Sequence, residues 1–269
     1  MTEQELLTEE NRKRILSLRL FDDDFMNACF DDYIEGVQLV VRIILGRDDF
    51  QVVRVKTQSL LKNLQGRDIC LDIHAKSDSG EEFDVEIQRD DRGANYKRAR
   101  YNSSILDAHL LNPADDINKL PDTYVIFITE NDVIGDNEPI YAIDRRITRS
   151  GKPFPDGSHI IYVNGSAKDS STALGRLMHD FSCTKADNMY YPELAKRVRF
   201  FKETEEGERA MNSVLEEWKE ELTKETAERC SIEFATNLIT KQVLSFEEIA
   251  DITGLPLEKV QELASKETA

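Results

Sequence analysis

Two short runs on either side of residue 80 carry the clearest alternation in the chain. Along Ile69 to Ala75, the residues Ile69, Leu71, Ile73 and Ala75 fall on one side of an extended strand while Cys70, Asp72 and His74 fall on the other, because strand side chains alternate. Phe83, Val85 and Ile87 alternate in the same way with Asp84, Glu86 and Gln88. Between them Ser77, Asp78, Ser79 and Gly80 mark a turn, so the runs predict a hairpin with one apolar face and one face of carboxylates. Upstream, "YIEGVQLVVRIILG" has helix-spaced apolar positions that end at Gly46, a C-cap residue, and "FQVVRV" at 50 to 55 reads as a strand. Downstream, "ANYKRARYNSSILDAHLL" predicts a helix with Ala99, Ser103, Leu106 and Leu110 on one face, stopped by Asn112-Pro113. The continuous apolar run in "TYVIFITE" at 123 to 130 predicts a strand covered on both sides, as in a parallel sheet. The order is helix, three strands, helix, strand, with a parallel, right-handed crossover from the third strand to the fourth.

"PIYAID" and "HIIYVNG" flank a loop rich in Gly and Pro at 150 to 158 and extend the sheet. The remainder reads as helical. Met211, Leu215, Trp218 and Leu222 are spaced 4, 3 and 4 residues apart, but the pattern drifts before three heptads are complete, which suits a docking helix or a homodimer through residues 205 to 238 better than a long coiled coil. In "SFEEIADITGLPLEKVQEL", Ser245 and Glu248 form a capping-box pair, and a Thr253-Gly254 break separates two short amphipathic helices. That tail resembles half of a helix-turn-helix and is expected to pack or oligomerise rather than read bases. These patterns divide the chain into a charged N-terminal arm at 1 to 20, an α/β domain at 21 to 203 and a helical extension at 204 to 269.

With 269 residues the chain is long enough for a sizeable core. Its formal net charge of -17 repels anionic partners on average, so an anion must meet a local basic patch. Cys29, Cys70, Cys183 and Cys230 form no CxxC pair, the first residues contain no apolar signal core, and "GVQLVVRIILG" is too short for a membrane span. The expectation is a soluble, cytoplasmic protein with reduced thiols and no membrane partner.

Why one strand face carries so many acids is the chemical question, since like charges facing each other across a ladder are destabilising. Either the face is wet or a cation sits on it. Asp72 and Glu86, on adjacent strands and one face, together with a backbone carbonyl, make an oxygen donor set suited to Mg²⁺. Residues 89 to 100 then bring five cations, Arg89, Arg92, Lys97, Arg98 and Arg100, against Asp90 and Asp91, a local +3 of the kind a phosphodiester backbone requires. Bland readings stand beside these. His74 is expected as a hydrogen-bonded strand histidine, His109 as structural and Asp84 as an ordinary exposed acid. The groups Arg145, Arg146, Arg149 and Lys196, Arg197, Arg199, Lys202 either line a groove or are ordinary surface.

The run "RDICLDIHAKSDSGEEFDVEIQRDDRGANYKRARYNSSILDAHLL", with the upstream "LFDDDFMNACFDD", resembles the PD-(D/E)XK nuclease family transposases, also called recombination-promoting nucleases, over roughly residues 15 to 200. The family's Asp, hairpin and E-x-Q triplet fall on Asp72, Glu86 and Gln88, its basic-aromatic helix on Arg98 and Tyr101, and its early acidic-Phe element on Asp24-Phe25. Asp22 and Asp23 compete with Asp24 for that last role. The resemblance implies an αβββαβ restriction-endonuclease-like core and metal-dependent DNA cleavage in recombination, mobile-element or defence biology. Asp72 and Glu86 would hold Mg²⁺, or Mn²⁺ in its place, and Lys97, Arg98 and Tyr101 would face the DNA. Gln88 stands where the wider superfamily has lysine, and an amide cannot carry the charge. That departure leaves activity resting on the metal or on charge from Lys97 or Arg98. It also keeps open a catalytically weak or inert relative that binds nucleic acid or protein.

Overall fold

The computed structural model describes residues 3–63, 66–89, 91–241 and 244–267. It divides into two compact units, Met1–Met211 and Asn212–Ala269. The first opens with helices α1 (Glu3–Ser17), α2 (Asp23–Phe30) and α3 (Ile34–Leu45). The segment expected as a charged arm is therefore helical, its end seated by buried Ile15 and Leu20. Gly46 ends α3 in the left-handed region, at φ 64°, as a C-cap glycine should.

A six-stranded sheet follows, in the order β1-β2-β3-β4-β6-β5. Its strands are β1 (Val52–Leu61), β2 (Ile69–Ser77), β3 (Glu82–Gln88), β4 (Thr123–Thr129), β5 (Ile140–Ile143) and β6 (Ser158–Asn164), with helix α4 (Tyr96–Leu110) between β3 and β4. The first strand runs six residues beyond the expected "FQVVRV", because β1 pairs with β2 as far as Leu61↔Ile69 and backbone bonds carry it through a polar stretch. β1, β2 and β3 are antiparallel neighbours, and β3, β4 and β6 are parallel. All seven residues of β4 are buried, as its unbroken apolar run requires. The mixed α/β architecture contains the αβββαβ order expected from the sequence, extended by β5 and β6.

Asn95 caps α4 by accepting the Lys97 amide at 2.8 Å, and α4 lies across one face of the sheet, where Ala99 meets Val125, Phe127 and Tyr162. The unit closes with α5 (Ala173–Ser182) and α6 (Pro192–Glu203) and runs into α7 (Glu205–Lys241). Met211 and Leu215 of the apolar stripe on α7 are buried, and the side chains of Trp218 and Leu222 lie outside the described residues. Asp90 also lies outside them. In the second unit the end of α7 joins α8 (Phe246–Thr253) and α9 (Leu257–Glu267) around Ala235, Ile249, Leu255 and Val260. The Ser245–Glu248 capping box forms in both directions, and Gly254 turns the chain at φ 69°. No helix among the described residues is long and apolar enough to cross a membrane.

Several members of the two cation groups near residues 145 and 200 are held in structural contacts. Arg145 pairs with Asp156, and Arg199 with Asp187. Arg197 donates to the carbonyls of Ala28, Cys29 and Asp31 at the C-terminal end of α2, and its guanidinium lies over Tyr33. Lys202 is buried, and its ammonium donates to the carbonyls of Leu16, Leu18 and Thr184 over the Phe25 ring. One amine thus joins α1, the α1–α2 turn and the end of α5. Replacing it as Lys202→Met would leave three part-buried acceptors without this donor, so urea denaturation should show a loss of about 1–3 kcal/mol; an unchanged midpoint would show that these carbonyls do not depend on it.

Candidate functional site

The polar face of β3 does not look into water. It lies under α4, and Glu82, Asp84 and Glu86 are all buried, the last two at 0% exposure. The expectation of Asp84 as an exposed acid, and with it the wet-face reading of the hairpin, is corrected by this burial. The missing information was what packs on the strand, which alternation within the strand does not carry.

Each acid on this face has its own partner. Glu82 takes Lys76 Nζ at 2.7 Å and His74 Nε2 at 2.8 Å, so His74 is a hydrogen-bonded strand histidine as expected. Asp84 accepts Asn102 Nδ2 at 3.2 Å. Glu86 Oε2 takes Arg98 Nη2 at 2.5 Å. The β2–β3 ladder reaches Ile73↔Val85 and then gives way to a side chain: Asp72 Oδ2 accepts the Ile87 amide at 3.0 Å and Gln88 Nε2 at 3.3 Å. Asp72, Glu86, Gln88 and Arg98 are therefore brought together at one place. Of the three early acids, Asp22 pairs with Arg89 and Arg19, and Asp23 is the one whose charge acts on Asp72; Asp24 is half-buried on α2. Gly93 packs against the Gln88 side chain so closely that a Cβ would stand 1.8 Å from Gln88 Oε1.

A cleft of about 1190 Å³ opens beside this cluster, lined among others by Arg67, Arg92, Lys97, Arg98 and Arg100. Lys97 and Arg100 are exposed and, among the described residues, make no ion pair. Tyr101 also borders the cleft, but its hydroxyl is engaged in structure. It donates to the Arg67 carbonyl at 2.6 Å and accepts Asn63 Nδ2 at 3.0 Å, and so holds the β1–β2 loop. Asn102 was missed in the sequence, although its position one helical turn after Arg98 gives the signal.

A family model for the PD-(D/E)XK nuclease family transposases matches residues 6–233. The chain belongs to that family. No curated protein and no solved structure matches it. The match runs past the sheet into α7, beyond the extent expected from the motifs alone. Within this PD-(D/E)XK protein, Asp72, Glu86 and Gln88 are the residues expected for the motif, and the carboxylates there suit a hard cation: Glu86 Oε1 and Asp84 Oδ1 are buried with no hydrogen-bond donor. A second group, His179, Asp180 and Cys183, brings nitrogen, oxygen and sulfur atoms within 4.8 Å of one another. Its carboxylate is already committed, since Asp180 accepts the amides of Tyr190 and Tyr191 at 2.8 Å each.

Burial dominates the acidities at the main cluster. It pushes the Asp72 carboxyl up to about 8, with the Glu86 charge adding and the Ile87 amide opposing. It pushes Asp84 up to about 7 against the Asn102 hydrogen bond. Glu86 is held well above the carboxylate range by burial and then by the Asp84 charge, with Arg98 opposing. These groups keep protons in the folded state that the unfolded chain releases near pH 4, so folding stability is full below that pH and falls as pH rises toward 7 to 8. Asp84→Asn removes one such acid and keeps an oxygen to accept from Asn102. In metal-free buffer it should raise stability by about 1–3 kcal/mol at pH 8 and by almost nothing at pH 4 in urea titrations; equal gains at both values would mean that ionisation is not the cause.

Proposed function

We propose that the protein is a divalent-metal-dependent DNA endonuclease serving recombination, mobile-element or defence reactions. The reading rests above all on one observation: Glu86, wholly buried and with an oxygen lacking any donor, lies beside Asp72 where a cleft bearing Lys97 and Arg100 opens. Such a cluster is unfavourable alone and favourable around a cation. Mg²⁺, or Mn²⁺, when bound would polarise a phosphoryl group and acidify a water.

The chain's own residues supply the rest. Asp72 and Glu86 offer the ligand oxygens. Gln88 donates to Asp72 and so orients that carboxylate, and Gly93 leaves room for it. The positive charge that lysine gives in the wider superfamily comes instead from Arg98, reached from α4. Lys97 and Arg100 meet the phosphate backbone along the cleft, and Tyr101 keeps the loop that forms its far wall in place. The same Arg98–Glu86 contact also favours a second reading, an inert relative in which an arginine permanently neutralises the site.

Asp72→Ala and Glu86→Ala should each lower Mg²⁺-dependent cleavage of double-stranded DNA by at least about a hundredfold while leaving the circular dichroism unchanged. Wild-type protein that neither cleaves DNA nor binds Mn²⁺ would establish the inert reading. The double change Lys97→Ala with Arg100→Ala should reduce the slope of log affinity against log salt by about 1.8, the contribution of two phosphate contacts. An unaltered slope would place the DNA on another face.

A further inference from the structure

We propose that Arg98 is an exchangeable counter-cation: in the metal-free protein its guanidinium holds the place on Glu86 that a divalent cation takes, and on exchange it turns into the cleft toward a phosphate. This rests on the endonuclease reading above and adds to it a coupling between metal and DNA.

The grip of Arg98 on Glu86 is a single contact. Nη2 reaches Oε2 at 2.5 Å, Oε1 has no donor, and Nη1 is spent on the Gly93 carbonyl at 3.3 Å. A paired fork on both oxygens would be the stronger arrangement, so the contact is one that a better cation displaces. Exposure points the same way. The carboxylate is sealed at 0%, whereas the Arg98 side chain is 40% exposed and lines the cleft along with Lys97 and Arg100. The guanidinium therefore stands at the boundary between the acids and the channel, and a rotation of its own side chain carries it from one to the other.

Charge makes the exchange necessary. One guanidinium faces three carboxyl groups, those of Asp72, Asp84 and Glu86, more than it can neutralise once they ionise around a dication. A dication on Glu86 would sit beside the guanidinium, and repulsion at that separation grows steeply where water is excluded. Arg98 cannot stay on Oε2 once the dication is there. A phosphate in the cleft draws the guanidinium the same way, so each ligand should favour the other, as linkage demands.

Calorimetric titration of Mn²⁺ into the full chain at pH 7.5, without DNA, tests the exchange. Arg98→Gln should bind Mn²⁺ about tenfold or more tightly than wild type, because the competitor is gone, whereas Arg98→Lys should stay close to wild type. Equal or weaker binding by Arg98→Gln overturns the proposal. In the wild-type protein, the Arg98 side-chain NMR resonance, assigned by its loss in Arg98→Lys, should shift with Mg²⁺ at the half-saturation that a parallel Mg²⁺ calorimetric titration gives; a resonance that ignores the bound ion overturns the proposal without need of a folded variant. Wild type that binds Mn²⁺ through Asp72, with Arg98→Gln unchanged, defeats the exchange alone. No Mn²⁺ bound by wild type or variant defeats both the exchange and the endonuclease reading.

Discussion

Everything at this site depends on α4 lying over the polar face of β3. A strand with Glu82, Asp84 and Glu86 on one side would ordinarily leave that side in water. Here a helix covers it, and each acid then needs a donor, a proton or a cation. The three neighbours solve this differently. Glu82 is paired outright by Lys76 and His74, Asp84 has an Asn102 contact with burial opposing its ionisation, and Glu86 leans on Arg98. The gradient runs from a closed ion pair at one end of the strand to an unfinished one at the other. The cleft opens at the unfinished end.

The surrounding architecture makes that arrangement rigid. β4 is buried along its whole length and pairs with β3 in register from Glu82↔Thr123 to Gln88↔Thr129, so the acids are carried on a strand that has no freedom to shift. Val125 and Phe127 of β4 pack beneath Ala99 and fix the distance between helix and sheet. On the opposite face Phe83 stacks between Phe50 and Tyr124. The strand is clamped from both sides.

Much of this was legible in the sequence, and the losses have physical reasons. The hairpin, the α4 helix and the buried strand from Thr123 followed from periods of two and 3.6, which local sterics impose whatever the context. That Asp72 and Glu86 share one face followed from parity once the turn set the register, whereas Gln88 was singled out by the family resemblance. The true length of β1 was hidden because its later residues are held by backbone pairing with β2, to which side-chain polarity is blind. The burial of Asp84 was hidden because it depends on a helix that arrives later in the chain. Arg197 and Lys202 looked like surface charge, yet both serve main-chain carbonyls on other elements, a contact across more than 160 residues that no local pattern announces.

The point at which β2 and β3 stop bonding to each other has a further meaning. Up to Ile73↔Val85 the two strands hold together through their main chains, and only past it does Asp72 take over an amide. The cohesion of the hairpin and the Asp72–Glu86 cluster thus occupy different stretches of the same two strands. A lineage carrying this scaffold can lose an acid, gain an amide or exchange lysine for glutamine without unzipping the sheet, so chemistry can drift while architecture stays. Loss of an acid and loss of the fold become separate evolutionary events.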